Sequence, residues 1–192
     1  DGVLQYRSIR ASGARVFRAA GGSLSLGARL GFLQMGIDGN AIRTPGGDYE
    51  NGTIEHNDPI LNTGKYTGNG FQWEASLFFR HPLFQTGISV LDVPSHPIEL
   101  DLTRFGLKTQ LMGFFQYPIS LSQNVHFQPS VVVRSDLRKI QSEIHALLRI
   151  NGNIFGGVMI RGNSSPTWDA LGFCVGHKIN RRYSVFYQYD AG

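Results

Sequence analysis

The stretch KIQSEIHALLRI, residues 139–150, decides the fold because it fits two different periods. Ile140 and Ile144 fall at the spacing of one face of a helix. Gln141 and Glu143, however, alternate with their neighbours as residues do on the two sides of a strand. The first period predicts a helix in a soluble core, whereas the second predicts a wall with one wet side and one apolar side.

The residues that follow decide between the two periods. INGNIF, residues 150–155, is a hairpin signal in which Asn151 and Gly152 suit turn positions with positive φ, and another alternating segment comes next. A lone helix between hairpin-linked strands would be awkward, so we predict that residues 139–150 form a strand. Its polar side carries Gln141, Glu143, His145 and Arg149.

The same alternation recurs along the chain in segments of about nine to eleven residues, the length of a transmembrane β-strand. SLSLGARLGF (23–32) and FQWEASLFFR (71–80) are the clearest, and Phe78 is the exception within the second. NVHFQPSVVVR (124–134) also alternates, and Pro129 predicts a bend or bulge there. Further predicted strands cover residues 85–91, 105–115, 154–161, 170–177 and 183–189, with a weaker one within 4–17.

Composition agrees with β-structure and narrows the function. The chain has 192 residues with 24 glycines, 13 phenylalanines and 7 tyrosines, but only 17% charged residues. A net charge of +4 is too small and too scattered to predict nucleic-acid binding. The one cysteine, Cys174, excludes an internal disulfide and a cysteine-built zinc site. No run of about eighteen apolar residues offers a transmembrane helix.

Two stretches interrupt the alternation. Residues 39–70 are rich in Gly, Asn, Asp and Pro, and residues 92–104 form a second excursion. Long loops on alternate connections with tight turns elsewhere are typical of an outer-membrane barrel. We therefore expect residues 1–192 to form one all-β domain, an antiparallel transmembrane β-barrel of the bacterial outer membrane.

The hydrocarbon interior of a lipid bilayer gives this expectation a physical basis. Every backbone N–H and C=O in a bilayer must be paired within the protein, so strands cross it only as a closed barrel. The charges should then share one parity on each strand and line the lumen. The candidate lumen-lining residues are Arg29, Glu74, Glu143 and Arg149. Alternation is equally compatible with a soluble sandwich or lipocalin-like barrel whose apolar side points inward, and that alternative stays open here.

The order of several motifs points to a known family. They are LSLGARLGFLQMGID (24–38), NDP (57–59), FFRHPLFQTGISVLDVP (78–94), FQPSVVVRSD (127–136), GGVMIRGNSSPTWDALGFCVGHKI (156–179) and YSVFYQYDAG (183–192). Together they resemble the PorP/SprF family of type IX secretion system outer-membrane proteins of Bacteroidetes, over nearly all of residues 24–192. The family's aromatic-rich amino-terminal stretch and the strand after its closing YsYD motif have no counterpart, so we expect the barrel in this sequence to be incomplete at both ends.

The resemblance implies a role in protein export and, in gliding bacteria, in the secretion and surface attachment of large adhesins. It implies partners: the giant translocon barrel, a secreted adhesin, and periplasmic motor or peptidoglycan-binding components, with the lipid bilayer around the barrel. We expect an anchoring or assisting component, and the alternatives are a passive outer-membrane pore and a soluble carrier barrel.

Neither an enzyme nor a metal protein is indicated by the residues. No G-x-S-x-G elbow occurs, and strand parity puts His145 and Ser142 on opposite faces. The loop around His56 offers carboxylates but lacks the EF-hand spacing. We therefore expect no catalytic site, no cofactor and no metal. The candidate partner-contact residues, aromatic or proline positions in the irregular segments, are Tyr49, Tyr66, Pro94 and Trp168.

Overall fold

The computed structural model describes residues 3–50, 52–58, 61, 63–100, 103–163, 168–180 and 182–191. These residues form thirteen strands and one short 3-10 turn, Gly39–Ala41. The strands are β1 Leu4–Ala19, β2 Gly22–Asp38, β3 Lys65–Arg80, β4 Gln85–Pro94, β5 Ile98–Leu100, β6 Thr103–Phe105, β7 Gln110–Gln116, β8 Ile119–Ser120, β9 Val125–Ser135, β10 Ile140–Ile150, β11 Ile154–Asn163, β12 Trp168–Lys178 and β13 Ser184–Ala191. Among the described residues, no helix is long and apolar enough to cross a membrane.

Strand order follows chain order. The main sheet runs β1-β2-β3-β4-β7-β9-β10-β11-β12-β13, β8 pairs with β9 beside this path, and β5 pairs with β6 separately. The pairings between β4 and β13 whose registers are resolved are antiparallel. The prediction of an all-β, antiparallel fold is confirmed. Contacts divide the chain into unit 1 (Asp1–Gly13, Ala28–Glu74, Asp92–Thr109) and unit 2 (Ala14–Gly27, Ala75–Leu91, Gln110–Gly192).

The ambiguous stretch is a strand, as its context predicts. Residues Ile140–Ile150 form β10 and pair without interruption with β9 and β11. Asn151 and Gly152 have φ values of 51° and 68°, the left-handed conformation that joins two twisted strands through a tight turn. The local turn chemistry therefore decides which of the two periods is realised.

Strands β3 and β10 expose their apolar side and bury much of their polar side. In unit 1, Gln72 and Glu74 of β3 are 4% and 8% exposed, whereas Phe71 and Trp73 are 55% and 41% exposed. In unit 2, Glu143 of β10 is 6% exposed and its neighbour Ile144 52%. A soluble sandwich or carrier barrel would bury Phe71 and Ile144 instead. The side that bears Glu74 is called the polar face of unit 1, and the side that bears Glu143 the polar face of unit 2.

The prediction that residues 92–104 are irregular is wrong, because this stretch contains strands and contributes to a small apolar core in unit 1. β5 and β6 pair as a hairpin within this stretch, and β4 extends to Pro94. Ile98 and Leu100 are buried with Leu33, and Met35, Ile37, Tyr66 and Leu107 pack against them. β5 lies against Gly70 so closely that a Cβ there would be 2.8 Å from Ile98 Cγ1. Gly70 has the parity of Glu74, so the hairpin covers the polar face of unit 1.

Three boundaries differ from the sequence reading. The excursion expected over residues 39–70 ends earlier, since β3 begins at Lys65. The strand expected over residues 105–115 is divided between β6 and β7. Pro129 causes no register shift against β10; instead its partner strand breaks, with β7 ending at Gln116. Pro129 accepts a bond from the Tyr117 N–H at 3.1 Å but has no N–H to return, so the ladder is interrupted there and resumes where β8 pairs with β9.

Candidate functional site

The polar face of unit 1 is built around one buried carboxylate. Glu74 Oε2 lies 2.9 Å from Arg29 Nη1, and Glu74 Oε1 lies 3.9 Å from Arg10 Nη1. With its amide oriented to accept, Gln72 also receives bonds from Arg10 at 3.2 and 3.3 Å. Two cations therefore share one carboxylate on adjoining strands, and the buried carboxylate is balanced where it would otherwise be costly.

The polar face of unit 2 carries a second set of matched charges. Glu143 lies 3.2 Å from Arg134 on β9 and 3.5 Å from His145 Nε2 on its own strand. On β11 and β13, Arg161 and Asp190 approach to 3.7 Å. Arg134 and Glu143 lie on neighbouring strands, where side chains of opposite charge stabilise the pairing, whereas Arg161 and Asp190 approach each other across β12.

The four predicted lumen-lining residues lie on these two faces, in different settings. Arg29 and Glu74 form one ion pair, and Glu143 belongs to the second set of charges. Arg149 is exposed at the end of β10, opposite Phe155 of β11, and no carboxylate partner is present for it in the described part of the chain. Whether these side chains line a lumen remains a prediction.

Tyr49 organises the long loop of unit 1. Its hydroxyl accepts from the Thr44 N–H at 2.6 Å and lies 3.1 Å from His56 Nδ1. The Arg43 guanidinium stacks 4.5 Å from the centroid of the Tyr49 ring. Backbone bonds between Asp48 and Glu55 close the same loop segment. Tyr49 therefore acts first as an internal anchor that gives the loop a defined surface.

The other three candidate partner-contact residues are placed differently from one another. Tyr66 lies on β3, packs against the Leu33 core, and donates its hydroxyl proton to the Thr63 carbonyl. Pro94 ends β4 and is half-buried. Trp168 begins β12 and is exposed, directly after residues 164–167, which lie outside the described residues. Partner contact by these positions remains a prediction, and Trp168 is the most accessible of them.

A comparison with protein families matches residues 1–192 to the family described as type IX secretion system membrane protein PorP/SprF. The match covers the whole chain and includes β1, beyond the motifs of residues 24–192. The chain belongs to the PorP/SprF family. A comparison with curated proteins finds no match.

Membership of the PorP/SprF family makes the chain a membrane component of the type IX secretion system. It is a family of secretion components, which agrees with the lack of catalytic motifs in the sequence. Within the described residues, no group of three or more metal-ligating side chains occurs. The chemistry that this PorP/SprF chain presents is therefore that of two ion-paired polar faces, exposed apolar faces and one structured loop.

Sequence reasoning missed three charged residues of the polar faces. Arg10 lies on β1, whose alternation is weak, and Arg161 and Asp190 lie near the ends of β11 and β13. Parity carried a usable signal for Arg161, because Ile154, Val158 and Ile160 all lie on the opposite side of β11. Its pairing with Asp190 depends on the register of β11, β12 and β13, which no local pattern reveals.

Proposed function

We propose that this PorP/SprF chain is a non-enzymatic outer-membrane barrel of the type IX secretion and gliding machinery, which anchors or assists the export of large surface proteins through partner contacts. The observation that carries the proposal is the family match over the whole chain. The proposed partners are the translocon barrel, a secreted adhesin, and periplasmic motor or peptidoglycan-binding components.

The exposed apolar faces support the bilayer as the surroundings of the strands. Large exposed apolar side chains on several successive strands form a contiguous apolar surface, which soluble monomers rarely expose. They alternate with polar or small residues, as in the wall of an outer-membrane barrel. In unit 2 these exposed side chains include Ile140, Ile144, Leu148, Val158, Leu171, Phe173, Val175, Val185 and Tyr187.

The structured loop of unit 1 supports a contact role outside the bilayer. Arg43, Glu50 and Glu55 are exposed around the ordered core of Tyr49 and His56. A preorganised surface loses less conformational entropy on binding than a flexible one. The loop is thus suited to present polar and charged groups to a protein partner.

The first experiment is affinity purification of the tagged chain from detergent-extracted native outer membranes, followed by mass spectrometry of what stays bound. Recovery of the translocon barrel or of a large secreted adhesin is expected. Recovery of the chain alone, from a preparation that keeps other secretion complexes intact, would contradict the export role and favour the passive pore.

The loop itself is tested by replacing residues 41–63 with a short Gly/Ser linker. The base of the loop is held by the Gly39 N–H to Gly64 carbonyl bond at 2.7 Å and the Gly64 N–H to Asn40 Oδ1 bond at 3.0 Å, so the strands should still pair. We expect partner recovery to be lost. The control Arg138→Ser, in an exposed turn of unit 2, should recover partners like the unaltered chain. Unchanged recovery without the loop would remove this loop from the proposal.

A further inference from the structure

A cavity with a mostly apolar lining lies on the side of unit 2 that bears Glu143. Its volume is about 450 Å³, and it is formed by β7 and β9 to β13. Mostly apolar pockets of this size with a few placed polar groups are the usual form of a small-molecule site. The apolar lining includes Phe114, Val132, Leu147, Phe155, Met159 and Phe186.

Glycines on neighbouring strands keep this cavity open. Met159 is paired with Gly172 across β11 and β12, and a Cβ on Gly172 would lie 2.8 Å from Met159 Cε. Leu147 lies in the same way over Gly157, 3.1 Å from the place of a Cβ. Met159 and Leu147 pack against the backbone of Gly172 and Gly157, because a glycine has no side chain to keep them away. The space above them is left free.

Matched charges border the cavity on one side. On each of four strands, the residue two positions past the last lining residue points to the same side of the sheet and is charged. These pairs of lining and charged residues are Val132 and Arg134, His145 and Glu143, Met159 and Arg161, and Gln188 and Asp190. Because Arg134 pairs with Glu143 and Arg161 with Asp190, this border offers a ligand no unmatched charge.

Arg149 is the unmatched cation of the cavity. It lines the cavity at the turn end of β10, between His126 and Phe155 in the register. In the described part of the chain it has no carboxylate partner. A guanidinium beside an apolar cavity fits an anionic head group on a hydrocarbon chain, because a carboxylate can form two parallel hydrogen bonds with it.

We propose that this cavity binds a medium-chain carboxylate, with its head group on Arg149 and its hydrocarbon chain along Leu147, Phe155 and Met159. The cavity runs along β10 from Arg149 to His145, a path of about 13 Å at roughly 3.3 Å per residue. An extended acyl chain of medium length fits this path. The carboxylate site does not depend on the partner contacts proposed for the loops.

Cys174 allows a direct test because it lines the cavity and is the one cysteine of the sequence. The full chain is placed in lipid nanodiscs, and the rate at which a maleimide modifies Cys174 is measured with increasing dodecanoate. Dodecanoate is expected to slow the modification. Arg149→Gln should raise the dodecanoate concentration needed about tenfold, the factor that corresponds to roughly 1.4 kcal/mol of a charge-assisted hydrogen bond. Arg149→Lys, which keeps the charge, should restore much of the protection.

Dodecanol is the matched probe, because it enters the bilayer but carries no charge. It should protect Cys174 weakly and to the same extent in the unaltered chain and in Arg149→Gln. Arg138→Gln, an exposed arginine in a turn, should behave like the unaltered chain. An unaltered modification rate without ligand shows that each variant keeps the cavity. Equal protection by dodecanoate and dodecanol, no protection by either, or protection by a short acidic peptide in place of dodecanoate would overturn the carboxylate site.

Discussion

At the scale of single residues, the chain is distinguished by carboxylates that are buried on the side of the strand where water would ordinarily be expected. Glu74 and Glu143 are each nearly inaccessible, and each lies beside at least one arginine. A buried carboxylate without a partner is strongly destabilising, so the arginines are required by the burial itself. The exposed isoleucines and aromatic residues beside them favour an apolar surrounding, because apolar surface is costly to expose to water.

Removal of the Glu74 charge should destabilise the protein. Glu74→Gln leaves Arg29 and Arg10 without their shared carboxylate, and we expect the free energy of unfolding to fall by about 1 to 3 kcal/mol. The control is Glu99→Gln, since Glu99 and Arg104 form an exposed pair at 3.2 Å that should contribute little. Denaturant unfolding in detergent micelles measures both. Equal effects of the two substitutions would show that burial does not determine how much an ion pair contributes to the free energy of unfolding.

A charge on the apolar face should be costly only if that face meets lipid. Ile144→Arg is expected to destabilise the protein folded in lipid vesicles by about 2 to 4 kcal/mol. His145→Arg, on the other side of the same strand, places a guanidinium next to Glu143 and should change the stability far less. If Ile144→Arg folds into vesicles as well as His145→Arg, the bilayer reading of this face would be wrong.

At the scale of elements, hairpin turns and cross-strand pairs determine the strand register. The turn at Asn151 and Gly152 places Ile150 opposite Ile154 and thereby keeps Glu143 opposite Arg161. A slip of one residue would move every side chain to the other face. Turn geometry is thus what keeps the polar residues of β10 and β11 on a common side.

Gly152→Ala should measure how much the positive φ of this turn costs for a residue that has a Cβ. A Cβ at Gly152 would meet no atom within 4 Å, so only its φ of 68° opposes the substitution, and we expect a loss of about 1 kcal/mol in the free energy of unfolding. Gly113→Ala is the matched control, because a Cβ there also meets nothing and no positive φ is required. A neutral Gly152→Ala in the same denaturant titration would falsify the proposed role of the left-handed turn.

At the scale of the whole molecule, the charges and the β5–β6 hairpin bear on the choice between an anchor and a pore. Arg29 is matched by Glu74, and Arg134 by Glu143, within their own units. The hairpin packs Ile98 onto the polar face of unit 1, against Gly68 and Gly70. A polar face that is covered and internally neutralised is poorly suited to steady ion conduction.

Planar-bilayer recordings should therefore show no steady conductance steps for the intact chain. Replacing residues 96–106 by a short Gly/Ser linker removes the hairpin from the polar face and is expected to produce steps. The chain in which residues 41–63 are replaced is the control and should stay silent, since the hairpin remains. Steady ion-selective steps from the intact chain would favour the passive pore.

The sequence by itself determined the strands and their two sides. Alternation in residues 23–32, 71–80 and 139–150 and the Asn151-Gly152 turn are local, so they predicted β2, β3, β10 and the hairpin. The motif order predicted the family. Three features were decided only by tertiary structure: the burial of the polar side, the pairing of Arg161 with Asp190, and the packing of the β5–β6 hairpin. Alternation is the same whichever side faces the solvent, and contacts between strands depend on a register set far away in the chain.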